Sequence, residues 1–244
     1  MSDWISETLY SNGVLKNKLH IHNSKELEKK EYELSARNAL FLLQKKPQIN
    51  DIGDLKKVHQ FLFGELYDWA GKYRPGNFNK NGYEFFDHTR FDFAEKDINN
   101  MLHKHPVGKP LANKDYAELL DAINFMHPFR EGNGRSCKVF LSAYAANHGQ
   151  VIDYPRRNKE MIEAQNEANV DKIAKLIKVE NTPSRNRAFQ VLASQQSAGK
   201  TLCQNQSNQI GLHELTLWGP DYHHGANLDN HWWPGCWRYS NRWY

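Results

Sequence analysis

The sequence predicts a mainly α-helical bundle with one small β-hairpin. Apolar residues recur at three- and four-residue spacing along most of the first 180 positions, and the segments that carry them are bounded by caps, Pro or Gly. One Asn-Gly pair, Asn81-Gly82, lies between two short aromatic runs, where a two-residue type I′ turn is expected.

Asn23-Ser24-Lys25-Glu26 has the form of an N-cap with a reciprocal Glu at N3, so a helix is expected from there to about Gln44, before Pro47. Asp54 can cap a second helix whose stripe is Leu55, Val58, Leu62, Leu66 and Trp69, ending at Gly71. Phe78-Asn79-Lys80 and Tyr83-Glu84-Phe85 flank the turn and form the hairpin. Helices from about Phe91 to His103 and from Asn113 to His127 follow, the latter carrying Tyr116, Leu119, Leu120, Ile123 and His127 on its apolar face. Pro128 disfavours helical geometry in the residue before it and stops that helix. A further helix resumes near Gly134 or Arg135 and ends at Gly149; two shorter ones, about Lys159 to Glu167 and Val170 to Val179, complete the set.

The 244 residues, with 39% hydrophobic content and seven Trp, suffice for one large domain or a domain with an appendage. Lys+Arg 32 against Asp+Glu 28 gives +4, but the charges are interspersed, so a nucleic-acid partner is not indicated. No apolar run approaches the roughly 18 residues of a membrane span, and the amino end lacks the order of a signal peptide. A cytoplasmic protein is the expectation, although export without a cleaved signal, including secretion into a host cell, leaves no mark in these features. Three Cys without a CxxC pair point neither to a disulfide framework nor to a thiol zinc site. The expected division is a domain over residues 1–190 and an extension over 191–244. Residues 201–244 hold five of the seven Trp and no Lys, and the amphipathic pattern is lost there. A foreign or frame-shifted extension, a partner-binding tail and a small module are the alternatives, the first being preferred. Ser194 to Thr201 imitates a phosphate-binding loop with Ser in place of the first Gly, and the His residues after 212 lack paired metal-ligand spacing; both are set aside.

The chemistry is concentrated in His127-Pro128-Phe129-Arg130-Glu131-Gly132-Asn133-Gly134-Arg135. A loop between two helices puts unpaired amides and the positive dipole end of the second helix at one place, an anion site suited to phosphate. Gly132 and Gly134 allow close backbone approach, and Asn133 can add a side-chain donor. Arg130, Arg135 and Lys138 are the candidate nucleotide-binding cations; the last two share a face on the first turns of the helix. Glu131 needs a cation between itself and phosphate, which points to Mg²⁺. His127, at the end of the preceding helix, can take a proton from a hydroxyl attacking phosphorus.

The same stretch, continued by Ser136-Cys137-Lys138, resembles the Fic family signature His-x-Phe-x-Asp/Glu-Gly-Asn-Gly-Arg-x-x-Arg at every defined position but the last. Trp69-Ala70-Gly71-Lys72-Tyr73-Arg74 is similar to the segment leading into that family's flap hairpin, and the helical order fits from about residue 20 to 180. The resemblance implies a Fic-like helical bundle and a bacterial, toxin-like enzyme. Such an enzyme transfers AMP from ATP, with Mg²⁺, to a Ser, Thr or Tyr hydroxyl of a target protein. It further implies that His127 is the general base and Glu131 the metal residue. Gly132, Asn133, Gly134 and Arg135 would touch phosphate, Phe129 would anchor the loop, and the flap at Asn79, Lys80 and Asn81 would dock the target by strand pairing. Lys138 departs from the second Arg and loses its planar two-pronged grip. The family's inhibitory pattern, Ser/Thr-x-x-x-Glu-Gly/Asn, is missing from the sequence, so any restraint would come from a separate antitoxin-like protein or from a mechanism altered along with Lys138. A nucleotide-binding module without transfer, and transfer from another diphosphate donor, stand as alternatives.

Overall fold

The computed structural model describes residues 3–80, 83–155 and 158–206. Its helices are α1 (Trp4–Glu7), α2 (Ser24–Gln44), α3 (Asp54–Phe63), α4 (Phe91–His103), α5 (Asn113–Met126), α6 (Asn133–Asn147), α7 (Asn158–Asn166), α8 (Val170–Leu176) and α9 (Arg185–Gln206). Strands β1 (Asn79–Lys80) and β2 (Tyr83–Glu84) form one antiparallel pair, and β3 (Gln150–Asp153) and β4 (Lys178–Asn181) another.

The centre of the molecule is α6. Thirteen of its fifteen residues are buried, because α3, α5, α9 and β3 pack around it. A helix enclosed on nearly every side has no polar outer face to show, and the small Ala143, Ala145 and Ala146 are fully buried along it. The two residues of α6 that keep some exposure are Gly134 and Lys138, four apart and therefore on one face. Around this axis α2 lies on α3 and α9, α4 on α5, and α5 on α8.

Most expected boundaries are met. Asn23 caps α2 by accepting from the Glu26 amide at 3.0 Å. The hairpin has the expected register, Asn79 opposite Glu84 and Lys80 opposite Tyr83, with the turn residues Asn81 and Gly82 outside the described residues. Its root is fixed by the Phe85 amide donating to Phe78 O at 3.1 Å and the Phe86 amide to Phe125 O at 3.1 Å.

Three expectations are corrected. Asp54 is the first residue of α3 rather than its cap; its carboxylate accepts from the Asn50 amide at 2.8 Å and pairs with Lys57 at 2.7 Å. α3 ends at Phe63, with Gly64, a poor helix former, at its C-cap; the stripe residues Leu66 and Trp69 continue in turns. The last predicted helix stops at Leu176 because the chain turns extended at Ile177 to pair β4 with β3. These four-residue strands were too short to register as a period. Residues 194–201 lie within α9 and are helical, in keeping with setting the imitation phosphate loop aside.

The boundary expected at residue 190 falls inside α9. Ala188, Phe189, Leu192 and Gln196 are buried, Gln196 donates to Ala36 O, and Arg185 joins Asn147 Oδ1 at 3.0 Å to the Lys46 carbonyl. Residues 207–244, with their Trp and His clusters, lie outside the described residues. Among the described residues no helix is long and apolar enough to cross a membrane. A chain ended at residue 190 loses the burial of Leu192 and the Gln196 bond. Its thermal midpoint should fall by roughly 5–10 °C relative to a chain ended at residue 206, as circular dichroism melting would report.

Candidate functional site

α5 ends one residue before the expected stop. His127 caps it in the left-handed conformation, φ 42° and ψ 59°, a geometry that costs a non-Gly residue roughly 1–2 kcal/mol and must be imposed from outside. Its carbonyl accepts from Arg74 Nε at 2.9 Å, and the next carbonyl, of Pro128, from the Arg74 amide at 2.7 Å. The half-buried imidazole lies flat on Phe85, with ring centres 3.6 Å apart and planes 14° apart, and Phe78 is 5.8 Å away. The two rings at the hairpin root thus set the plane of the imidazole.

From Phe129 the loop closes on itself. Asn133 Oδ1 accepts from the Phe129 amide at 2.8 Å and Asn133 Nδ2 donates to Phe129 O at 2.9 Å. Both ends of that amide side chain bond within the loop: the backbone groups of a buried turn need partners, and Asn133 supplies them. Phe129 is fully buried, as an anchor should be, and stacks on His59 at 3.8 Å. His59 Nε2 meets Glu131 O at 2.9 Å, while His59 Nδ1 accepts from the Gly71 amide at 2.8 Å. An acceptor at Nδ1 fixes the neutral tautomer with its proton on Nε2. Burial pushes the His59 pKa down to about 4. Gly132, at φ 77°, is obligatory on two counts, because a Cβ there would also lie 2.5 Å from the Phe63 ring.

Arg135 is turned inward. Its guanidinium is bound by the Glu31 carboxylate from α2, lies 3.7 Å from Glu131 Oε1 and 3.3 Å from Ser35 Oγ, and sits 4.8 Å over the Phe63 ring. Tyr67 donates to the other oxygen of Glu31, and burial together with that charge pushes the phenol well above its usual range. Arg135 therefore ties the loop to α2, since a guanidinium buried on the first turn of a helix needs carboxylates around it. Glu131 Oε1 accepts the Gly132 amide at 2.9 Å. Arg130 donates to Thr8 Oγ1 at 2.9 Å and lies between the rings of Trp4 (5.9 Å) and Phe78 (5.6 Å), tying the amino-terminal segment to the loop. Lys138 stands 5.7 Å over the Tyr154 ring, on the same face of α6 as Gly134.

The structure brings His127, Glu131, Gly132, Gly134 and Lys138 to one loop and one helix face. The side chains of Asn133, Arg130 and Arg135 bond to Phe129, Thr8 and Glu31 respectively. Asn79 and Lys80 pair in the hairpin that carries Phe78 and Phe85 to His127, and Asn81 lies outside the described residues. Glu31, Tyr67 and His59 were missed. A readable signal existed for two of them, because Glu31 and His59 interrupt apolar helix stripes at the spacing of Leu27 and Leu55. For Mg²⁺ the donor chemistry fits: one carboxylate beside a helix N-terminus suits a hard cation completed by substrate phosphates, and among the described residues no set of three His, Cys, Asp or Glu competes as a cage.

Comparison with known proteins agrees with this geometry. The Fic/DOC family profile matches residues 50–145, from the end of the loop after α2 into α6. The "Probable protein adenylyltransferase y4lH" of Sinorhizobium fredii is 30% identical over 152 residues, which span 57% of this chain and 74% of that protein. The chain belongs to the Fic/DOC family. The protein adenylyltransferase VbhT of Bartonella schoenbuchensis is 32% identical over 136 residues, 52% of this chain but 28% of that longer protein. The chain thus spans little more than a quarter of that relative. Among solved structures, a Bartonella quintana Fic domain with bound ADP superposes with a TM-score of 0.66 at 25% identity, covering 74% of this chain and 97% of that one. BepC of Bartonella tribocorum, with bound AMPPNP, gives 0.64 at 22% identity, covering 74% and 100%. The Fic/DOC signature loop is therefore built here, with Lys138 at its last position.

Two consequences can be measured. Between about pH 6.5 and 4 the unfolded chain binds a proton at His59 that the folded chain excludes, so stability falls as pH drops through this window, by up to about 3 kcal/mol. Denaturant titrations should show that slope, and His59→Asn, less stable throughout, should flatten it. Gly132→Ala should cost about 2–5 kcal/mol from backbone strain and the Phe63 clash, seen in thermal melts.

Proposed function

We propose that this Fic/DOC protein transfers AMP from ATP to a Ser, Thr or Tyr hydroxyl of a target protein. One observation carries the reading: the short loop that holds His127 at one end opens at the other onto the only half-exposed face of α6, Gly134 and Lys138, where the first helical amides have no intrahelical acceptor. The names of the relatives and the nucleotides bound in the Bartonella Fic domains support the same class of chemistry.

In this reading the phosphates approach the amino end of α6, where backbone amides and the helix dipole attract them and Gly134 presents no side chain in the way. Lys138 adds charge from one turn further on. Glu131 is the residue that would hold Mg²⁺, which when bound supplies neutralisation of the phosphate charge. The target hydroxyl lies under the hairpin, whose strands pair with an extended segment of the target. His127 takes the hydroxyl proton as the oxygen forms its bond to the α-phosphorus, the bond to the bridging oxygen breaks, and pyrophosphate leaves with that electron pair. The stack on Phe85 keeps the imidazole from rotating away, so the protein builds its position.

The test uses ATP labelled at the α-phosphate, Mg²⁺ and a cell lysate. A protein band should take up label, and His127→Ala should reduce uptake at least 100-fold while circular dichroism and ATP affinity stay unchanged. Equal labelling by His127→Ala would remove the base from the mechanism, and ATP binding without any transfer would leave a nucleotide-binding module. Intact mass of the modified target separates AMP from phosphate, uridylyl or phosphocholine.

A further inference from the structure

Arg74 is 3% exposed, yet it lies beyond the Fic/DOC signature stretch and touches none of the candidate ligand groups. Its side chain reaches three separate segments. Nε donates to His127 O at 2.9 Å, Nη1 to Gly76 O at 2.6 Å just before the hairpin, Nη2 to Phe86 O just after it, and Nη2 again, at 3.4 Å, to Met126 O. Its own amide donates to Pro128 O at 2.7 Å. All of these acceptors are main-chain carbonyls, and Phe91 lies 4.9 Å below the guanidinium. Asp87 is the charge that favours its ionised form, against a burial that lowers its pKa to about 10.

We infer that Arg74 is a positioning residue that locks the left-handed backbone of His127 to both stems of the β1–β2 hairpin, so that proton acceptor and hairpin move as one body. A planar five-donor fork can meet carbonyls in three directions at once; an ammonium on a flexible stem has one nitrogen and cannot. The carbonyls of Met126 and His127 end α5, where a cation also meets the negative end of the helix dipole. Without the fork, the His127 carbonyl loses its bond to Arg74 and the hairpin stems lose their bonds at Gly76 and Phe86, while the Phe86 amide bond to Phe125 and the aromatic stack on the imidazole remain. The inference rests on the proposed role of His127 for its kinetic consequence alone; the mechanical coupling is read without turnover.

The test compares the full chain with Arg74→Lys and Arg74→Met. In both variants the amides of Phe85 and Phe86 should exchange with solvent at least tenfold faster, and the His127 imidazole C–H signals should shift in NMR spectra recorded without nucleotide. Where AMP transfer is measured, kcat should fall at least tenfold with KM for ATP within twofold, because Arg74 touches no nucleotide site, and Arg74→Lys should not restore it. Folded variants with unchanged hairpin exchange and unchanged His127 signals would overturn the inference. Loss of transfer in His127→Ala bears only on the proposed reaction. Should either variant fail to fold, the wild-type chain carries the test: the Arg74 Nε–H and the Phe85 and Phe86 amides should open with one common free energy as temperature rises. Hairpin amides that open while Arg74 stays protected would equally defeat it.

Discussion

The structure depends on keeping one guanidinium, that of Arg135, in the interior. A positive charge on the first turn of α6 opposes the helix dipole and, with 7% of its surface exposed, has lost most of its hydration. Glu31 from α2 and Glu131 from the loop compensate it, and Tyr67 completes the coordination of Glu31. One guanidinium bound by carboxylates from α2 and from the loop joins both to α6, so the three hold one relative position. The loop's remaining freedom is taken up by Asn133, which closes it on Phe129, and by His59, which pins the Glu131 carbonyl.

This arrangement divides labour in a way the residue types alone do not reveal. Arg and Asn in a Gly-rich loop read as ligand contacts because they carry donors. Here Asn133 and Arg135 bond within the protein, while Gly134 and Lys138 keep some exposure on one face of α6. A backbone cradle suits phosphate because it is rigid and its donors cost no side-chain entropy on binding. In the proposed reading the side chains hold the amides in position and the amides meet the ligand. The same logic explains why Gly132 and Gly134 differ. Gly132 satisfies the protein, through its φ and the Phe63 contact, whereas Gly134 lies on the half-exposed face.

The helices were legible because their apolar stripes are long and their caps local: Asn23, the Asn-Gly turn and Pro128 act on their immediate neighbours. The β3–β4 pair was not, since four residues joined across 24 intervening positions leave no period and owe their pairing to tertiary contact. The loop's chemistry was legible as a set of residue types, but the direction of each side chain was not. Arg135 faces inward because of Glu31, 104 residues earlier, and no spacing within the loop encodes that partner. His59 and Glu31 were detectable as polar interruptions of apolar stripes. Reading such an interruption as a buried partner requires knowing which charge it will meet, and only the fold supplies that.

Lys138 gains its meaning from these constraints. Arg135 is buried and bound to Glu31, whereas the cation of α6 that keeps some exposure is Lys138. Its ammonium rests over the Tyr154 ring, and Tyr154 is itself buried, so the stem of Lys138 is guided along one face while its head stays partly in water. A single rotatable ammonium attracts phosphate without dictating the angle at which a particular phosphoryl group is held. In the proposed reaction, orientation of the nucleotide would fall to the fixed elements: the amides at the start of α6, the carboxylate of Glu131 and the imidazole clamped between hairpin and helix. The geometry of the proposed transfer would then be set by the loop's internal bonds, the cation contributing attraction more than aim.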